Sequence, residues 1–323
     1  MKYCKIIILI AISLLIYQKA IAEEIEINHA DFLEANKQQI SIRGNVEIKY
    51  KGATIEAPEG TIITDDKGEQ DKAVFIGRTK LKLNDRRLEA DKITVSIKDK
   101  TIFAEGNTVS QLKDKKNNII TIACDYQELH WSGEDAKARG NIKTTYQETK
   151  VHSDECIIIY KNKKPEQAIF SSTEGLAHLE QPSNTTKAKE FVFDIATHNV
   201  EARNNVTSII WPSPNENQKE QDPVNVSADE VYIDNGSGTV VAKSRKNKVN
   251  LSYQETRGES NEATMLRNKE TNNPEKIIFK GNANVNQEDK QLTSEEVVFN
   301  FSDKKLTSNT TTNIRPKTVI FKK

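Results

Sequence analysis

The sequence predicts an all-β protein built as one elongated, folded antiparallel sheet that follows an N-terminal signal helix. Three observations predict this class. Apolar and polar side chains alternate with a period of two, the alternating pattern recurs about every 33 residues, and no useful helical periodicity appears after residue 22. A period of two puts successive side chains on opposite faces of a strand. The pattern therefore indicates strands with one buried face and one solvated face.

The first 22 residues have the features of a secretory signal. Lys2 precedes an apolar run at residues 6–16, and Ala20-Ile21-Ala22 supplies a small-residue cleavage motif. A retained membrane anchor is the alternative, but a spanning helix needs about 20 apolar residues and Gln18-Lys19 falls inside that length. We therefore expect cleavage after Ala22 and export of the mature chain, residues 23–323.

One half of the repeat is a strand interrupted by Gly-Asn. In the stretch 40–50 the even positions are apolar or Gly and the odd positions are polar, and Gly44-Asn45 leaves this parity unchanged. We expect Gly44 on the inward row, where it gives the backbone room to bend. Further copies, written by their inward residues, are Ala73-Phe75-Gly77-Thr79-Leu81-Leu83, Ile102-Ala104-Gly106-Thr108, Ala136-Ala138-Gly140-Ile142-Thr144, Val200-Ala202-Asn204-Val206 and Ile277-Phe279-Gly281-Ala283-Val285.

The other half of the repeat changes its inward parity once. A small residue and the next inward residue are three positions apart, which requires a bulge or bend inside the strand. Acidic residues fall beside this point, at Asp91, Asp125, Asp154, Glu190, Asp229 and Glu295. The copies are Ile55-Ala57-Gly60-Ile62, Leu88-Ala90-Ile93-Val95, Thr121-Ala123-Tyr126-Glu128, Val151-Ser153-Cys156-Ile158, Thr186-Ala188-Phe191-Phe193, Val226-Ala228-Val231-Ile233 and Leu292-Ser294-Val297-Phe299.

The two halves together predict an array of about nine β-repeats over residues 23–323. The small residues run from Ala30 to Ser294 at the 33-residue spacing, and such units bury their faces only against their neighbours. Bends at the same place in every strand fold the sheet over itself. The expected object is a two-layer groove that is apolar inside, charged outside and open at both ends, where unpaired strands invite β-augmentation.

Composition argues against several classes of function. The chain carries 47 basic and 47 acidic residues, a balance that disfavours an electrostatic nucleic-acid binder. Its five histidines are scattered without ligand spacing, so we expect no metal site and no cofactor. No nucleophile elbow or phosphate-binding Gly loop is present. Paired carboxylates of a sugar-cleaving enzyme are an alternative for the repeated acids, but one acid per bend suits a solvated corner better. The sequence predicts a non-enzymatic protein.

The alternation of an Ala-Asp/Glu strand with a Gly-Asn-Val strand resembles the OstA-like repeat of the LptA family of periplasmic lipopolysaccharide-transport proteins. The resemblance covers essentially residues 25–322. It implies a periplasmic β-jelly-roll, folded like a taco, whose apolar groove carries the acyl chains of lipopolysaccharide from the inner to the outer membrane. It also implies end-to-end homo-oligomers that join an inner-membrane transporter to an outer-membrane translocon.

This chain departs from the usual bridge protein of that family in two ways. It is longer, and its copies at Val240-Ala242 and Glu262-Ala263 are eroded. A related inner-membrane-side subunit, LptC-like, therefore stays open as a function. So does a structural or adhesive β-repeat protein without lipid cargo.

The inward rows supply the candidate site residues. An acyl chain needs a dry lane, and each buried methylene contributes about 0.8 kcal/mol. An ordinary sandwich core is the alternative role for the same side chains. The candidate groove residues are Ile40, Ile42, Val46, Ile48, Phe75, Leu81, Ile93, Val95, Ile97, Ile142, Phe191, Phe193, Val231, Ile233, Val297 and Phe299, and the candidate assembly edges carry Ile25, Ile27, Val319 and Phe321.

Two cysteines, Cys124 and Cys156, belong to the mature chain. They occupy different positions of the repeat, the first at the bend and the second in the inward row. A disulfide needs Cβ atoms about 3.8 Å apart, so this offset favours two unpaired thiols.

Overall fold

The protein is described here by a computed structural model that covers residues 25–131, 135–211, 222–271, 273–288, 290–309 and 316–320. Within these ranges the chain forms 24 β-strands, all paired antiparallel in one sheet, which confirms the predicted fold class. The predicted signal, residues 1–22, lies outside the described residues. In the same ranges no helix has the length and apolar character needed to cross a bilayer.

Half of the described strands have 11–14 residues and the other half have 4–8. Their bounds are β1 Glu26–His29, β2 Phe32–Ala35, β3 Gln39–Tyr50, β4 Ala53–Thr64, β5 Gln70–Leu83, β6 Arg86–Ser96, β7 Thr101–Lys113, β8 Ile119–His130, β9 Asp135–Tyr146, β10 Thr149–Lys161, β11 Lys164–Ser171, β12 Ala177–Gln181, β13 Asn184–Ala188, β14 Glu190–Asp194, β15 Val200–Ile210, β16 Val224–Asp234, β17 Thr239–Lys243, β18 Val249–Tyr253, β19 Thr256–Ser260, β20 Glu262–Arg267, β21 Pro274–Gln287, β22 Lys290–Asn300, β23 Leu306–Asn309 and β24 Lys317–Ile320.

The sheet is a meander. We call each position in its pairing order a level, which is either one long strand or two short strands in line, and each level pairs with the next level along the chain. Six levels consist of two short strands in line, as where β10 pairs with β11 over one half and with β12 over the other. The 24 strands therefore form 18 levels within the described residues. At about 4.8 Å per level the sheet extends roughly 80 Å in the pairing direction.

Each level bends near its middle, where the register shifts. Between β3 and β4, Arg43 pairs with Glu59 and Val46 with Ala57, so Gly44-Asn45 oppose one residue. Gly44 and Asn45 have φ of 72° and 46°, both left-handed. The left-handed region is open to glycine and tolerated by asparagine, which explains why this dipeptide recurs at the corner. The predicted change of inward parity is present in β4, where Ala57 and Gly60 are both buried. The extra residue of the bulge, however, lies in the Gly-Asn strand β3 rather than in β4, and Gly44 itself is half-buried at the corner.

The acids beside the bend hold this corner together. The Asn107 side-chain amide donates to Asp91 Oδ2 at 2.7 Å, and Asn141 makes the same bond to Asp125 at 2.7 Å. Where the level is broken, the carboxylate accepts from the backbone instead, as Asp229 does from the N–H of Arg245 at 2.9 Å. The predicted solvated structural corner is therefore observed at these positions, and at the broken levels Asp154 and Asp229 accept from backbone N–H groups that lie outside the ladder.

The bends divide the sheet into two layers that face each other. Layer A contains the segments on the Gln39–Arg43 side of the bend, and layer B contains those on the Val46–Tyr50 side. The inward side chains of both layers form one continuous apolar cluster from Ile25 to Phe299. The layers touch closely: a Cβ added to Gly258 of layer B would overlap the ring of Phe279 from layer A.

One copy of the repeat is placed on the wrong face by the sequence analysis. In β8 the predicted inward residues Thr121, Ala123, Tyr126 and Glu128 are half-buried, and the buried row is Ile120, Ile122, Cys124, Gln127 and Leu129. Cys124 takes the place of the small residue. The Gln127 amide is tolerated inside because it donates to Thr108 Oγ1 at 3.0 Å. Because Gln127 is polar, the pattern predicts an outward position for it, and the wrong row of β8 is therefore assigned to the interior.

Candidate functional site: the trough and its mouth

The space between the two layers, called here the trough, collects the predicted groove residues. Fourteen of the sixteen are buried members of the apolar cluster, and Ile40 and Ile97 are partly buried and pack against it. They come from strands at both ends and in the middle of the sheet, yet they belong to the same cluster. The structure therefore brings these side chains together along one apolar lane, where their contribution to lipid binding stays a proposal.

The trough is closely packed in this closed form. Phe75, Phe191 and Phe279 are fully buried inside it. Near the middle of the trough, a cavity of about 20 Å³ is lined by apolar side chains including Val151, Phe170 and Phe193, together with Thr144, Tyr146 and Thr149. This volume holds about one water molecule and no acyl chain. An acyl chain would therefore occupy the trough only after the layers part.

The long side opposite the bends, called here the mouth, is lined by the hairpin turns of both layers. Side chains bridge it at several points. Tyr50 of layer B meets the Trp131 ring edge-on, with centroids 5.2 Å apart. Tyr253 meets Phe301 in the same way at 4.7 Å. Because the described residues connect the layers only through the bends, these contacts hold the mouth closed.

A polar chain called here the latch, formed by Asp114, Tyr146 and His198, closes the middle of the mouth. The Tyr146 hydroxyl donates to Asp114 Oδ2 at 2.7 Å and lies 3.3 Å from His198 Nε2, on the turn of the opposite layer. Burial acts to raise the pKa of Asp114, but hydrogen bonds from Tyr146 and Asn118 outweigh it and lower the pKa overall. Burial together with the Asp114 carboxylate raises the pKa of Tyr146, so its hydroxyl is a donor at neutral pH.

The two layers cross rather than stack level on level. Tyr50 ends β3, whereas its partner Trp131 follows β8, five levels further along the chain. Arg86 in β6 lies over the ring of Tyr160 in β10, four levels further along. At about 4.8 Å per level, these two pairs are offset by roughly 20–25 Å. The pairs Tyr146–His198 and Tyr253–Phe301 are three levels apart, an offset of roughly 15 Å. The right-handed twist of each strand explains this crossing.

Sequence reasoning missed the residues of the mouth. Tyr50, Tyr146 and Tyr253 each occupy the last strand position before a two-residue turn. An aromatic side chain with one polar tip at the end of an inward row is suited to a boundary between an apolar interior and water. This regularity was visible in the sequence. The pairing of the rings across the mouth was not.

The predicted assembly edges lie at the ends of the sheet. Ile27 is half-buried in β1, Ile25 is buried just before it, and Val319 is 46% exposed in β24. The fourth residue, Phe321, lies outside the described residues. Large apolar side chains are also exposed on β2, at Phe32 and Leu33. Each end of the sheet thus presents apolar side chains on a terminal level.

The cysteines and the charged groups add no chemistry of their own to the trough. Cys124 and Cys156 are buried free thiols. Burial raises the pKa of both, which keeps them protonated and unreactive. Within the part of the chain that the structure describes, no three His, Cys, Asp or Glu side chains lie close enough to hold a metal ion.

Comparisons with known proteins complete the description. No family model matches the sequence, and no curated protein matches it. Among solved structures the chain is similar to LptH from Pseudomonas aeruginosa, described as the LptA-homologous periplasmic component of the conserved lipopolysaccharide transport device. The match has 13% sequence identity and a TM-score of 0.36, and it covers 42% of this chain and 94% of LptH. The fold assignment therefore rests on the strand pairing itself.

Proposed function

We propose that this protein is a non-enzymatic carrier of lipopolysaccharide that shelters acyl chains in the trough as the lipid moves across the periplasm. The observation that carries the proposal is the single apolar cluster, which runs from Ile25 to Phe299 over the length of the folded sheet. A compact globular core does not require an apolar cluster of this length, whereas a binding lane for long acyl chains does.

The small inward side chains support the proposal. Ala73, Ala104, Ala136 and Ala138 lie on the inward rows among the large aliphatic and aromatic residues. All four lie in layer A, where short side chains leave more room for an acyl chain once the layers part. The bends act as the hinge, because both layers remain covalently joined there, and the mouth contacts are the ones that an incoming lipid must displace.

Assembly and partners follow from the open ends. Terminal strands with exposed apolar side chains, such as Leu33 at 52% and Ile320 at 65% exposure, are suited to β-augmentation by a second copy or by a partner sheet. End-to-end stacking would extend the trough from an inner-membrane transporter to an outer-membrane translocon. This role requires export of the chain, as the N-terminal residues predict.

Site-specific photo-crosslinking tests the proposal. A photo-reactive amino acid at Ile42 or Val95 points into the trough, and the same residue at the neighbouring Arg43 or Thr94 points outward. After incubation with lipopolysaccharide we expect adducts at Ile42 and Val95 and few at the two controls. Adducts of equal yield at all four positions, or at the outward pair alone, would contradict a lipid lane between the layers.

A structural repeat protein without lipid cargo is the second candidate, and the dense packing of the trough favours it. Phe75, Phe191 and Phe279 fill the interior in the closed form as they would in an ordinary sandwich core. This function predicts that lipopolysaccharide neither binds saturably nor co-purifies with the protein. It also predicts no crosslink at Ile42 under conditions in which the protein is folded.

A further inference from the structure

A cavity of about 260 Å³ opens at the mouth beside the latch, since its lining includes Lys113, the residue before Asp114. We call it the mouth cavity. Its walls come from both layers: the β5–β6 turn and the end of β7 from layer B, and the end of β8 and the β10–β11 turn from layer A. Cα atoms of β7 and β11, which belong to opposite layers, come within 8 Å of each other here. The cavity therefore exists only because of the crossing of the layers.

The rim of the mouth cavity is cationic. Arg86, Lys113, Lys163 and Lys164 line it, with Asp85 as the one acid. Lys164 is 2.7 Å from Asp85 and is neutralised by it, which lowers the pKa of that carboxyl. Lys113 and Lys163 form no ion pair with any described residue. Three positive charges thus face a small cavity in a protein whose overall charge is balanced.

The floor of the mouth cavity is apolar and leads inward. Leu83, Leu112 and Trp131 line it, and the two leucines belong to the buried cluster of the trough. A cationic rim over an apolar floor suits an amphiphile whose anionic group stays at the surface while its tail lies inside. A free inorganic ion would gain nothing from this floor.

Two buried polar groups beside the mouth cavity have no partner. Trp131 Nε1 and the Tyr160 hydroxyl are inaccessible to solvent and form no hydrogen bond with the described residues. Both residues line the cavity. An unsatisfied buried donor costs about 1–3 kcal/mol, so each such group calls for an explanation, such as a water molecule or a ligand that bonds to it. Here both donors belong to side chains that line the same cavity as the cationic residues.

We propose that the mouth cavity binds the phosphate group of an anionic amphiphile, with Arg86, Lys113 and Lys163 around the phosphate and the apolar tail on Leu83, Leu112 and Trp131. Guanidinium and ammonium groups together favour phosphate over a neutral head group. The passage of the tail onward into the trough rests on the proposed function, whereas the phosphate contact does not. A buried water at the two orphan donors is the competing explanation for the unpartnered groups.

Fluorescence titration with decyl phosphate tests this site in the full mature chain. Trp131 and Trp211 are the two tryptophans, so a Trp211→Phe background reports on the cavity alone. In that background we expect saturable quenching or enhancement by decyl phosphate. The variant Lys113→Gln/Lys163→Gln should bind at least tenfold more weakly. The matched control Lys67→Gln/Lys98→Gln, which removes two exposed lysines from other turns of layer A, should bind like the parent.

Two further probes separate the sources of the binding energy. Decanol carries the tail without the charge, and inorganic phosphate carries the charge without the tail. Decanol binding as tight as decyl phosphate binding would overturn the cationic site, and equally tight inorganic phosphate would overturn the amphiphile in favour of a free anion. Equal binding by the parent and Lys113→Gln/Lys163→Gln, with unchanged circular dichroism, would also overturn the proposal.

The outcome is distinguishable from that of the crosslinking experiment. Loss of adducts at Ile42 together with retained, lysine-dependent binding of decyl phosphate would reject the lipid lane and support the mouth cavity. Adducts at Ile42 together with lysine-independent binding would do the reverse.

Discussion

At the scale of single residues, the corners of several levels depend on a glycine that has no room for a side chain. Gly106 has a φ of +77°, and a Cβ at this position would lie 2.7 Å from Asp91 Oδ2. Gly68 has a similar φ of +82° but lies in an open turn with no atom within 4 Å of its Cβ position. Both glycines need a left-handed backbone, but only Gly106 has a neighbouring atom where a Cβ would lie. Comparing the two therefore separates the cost of backbone strain from the cost of steric overlap.

We expect Gly106→Ala to lower the free energy of unfolding more than Gly68→Ala does. Both substitutions impose a left-handed alanine, at about 1–2 kcal/mol, and Gly106→Ala additionally displaces the carboxylate that holds Asn107, at roughly 1–3 kcal/mol more. Denaturant unfolding of the two variants measures the difference. Equal losses of unfolding free energy in the two variants would mean that the Asp91 carboxylate moves aside at no energetic cost.

At the scale of the element, partners in the neighbouring strands determine which of the two alternating rows of side chains in a strand is buried. In β8 the inward Gln127 is hydrogen-bonded to Thr108 Oγ1, and Ile122 is buried while Ala123 is half-exposed. Ala123 pairs with Lys143 of β9. A negative charge at position 122 would therefore enter the core, whereas a negative charge at position 123 would lie opposite Lys143 at the surface.

We expect Ile122→Glu to destabilise the protein by more than about 3 kcal/mol, because an unpaired carboxylate would be buried. Ala123→Glu should change the stability by no more than about 0.5 kcal/mol, since its carboxylate faces Lys143 in solvent. Thermal unfolding followed by circular dichroism checks both variants. If Ala123→Glu were the more damaging change, the phase of β8 in the structure would be wrong.

At the scale of the whole molecule, the mouth decides whether the two layers can part. The latch of Asp114, Tyr146 and His198 is one of its few polar bridges and contains a titrating group. The pKa of Asp114 is lowered in the folded protein. Its carboxylate therefore stabilises the fold above its ordinary pKa of about 4, and this contribution disappears as the pH falls below that value.

We expect Asp114→Asn to lower the melting temperature at pH 7, corresponding to about 1–3 kcal/mol for the weakened hydrogen bond to Tyr146. The difference from the parent protein should stay constant above about pH 4 and shrink as the pH falls below that value, because the unfolded chain binds a proton at Asp114 before the folded protein does. The matched control Asp66→Asn, at an exposed turn position, should parallel the parent at every pH. An Asp114→Asn curve that also parallels the parent would contradict a stabilising latch.

Much of the local architecture follows from the sequence, because it depends on nearest neighbours. Alternation specifies which side of a strand is buried, and the three-residue step at Ala90-Ile93 specifies where the strand must bend, although the extra residue of the bulge lies in the neighbouring strands. Gly106-Asn107 is similarly interpretable, since few other dipeptides adopt two successive left-handed conformations. The prediction was wrong where a polar residue, Gln127, occupied an inward position with a partner that the sequence does not reveal.

By itself, then, the sequence determined the all-β class, the bent strand and the row of inward residues from Ile42 to Phe299. Only the tertiary structure decided which levels face each other. The offset of Tyr50 and Trp131 by five levels accumulates from the small twist of each strand, which no single residue encodes. The latch and the cationic mouth cavity both arise from that offset, because it brings together residues that are far apart in the chain and separated in the sheet.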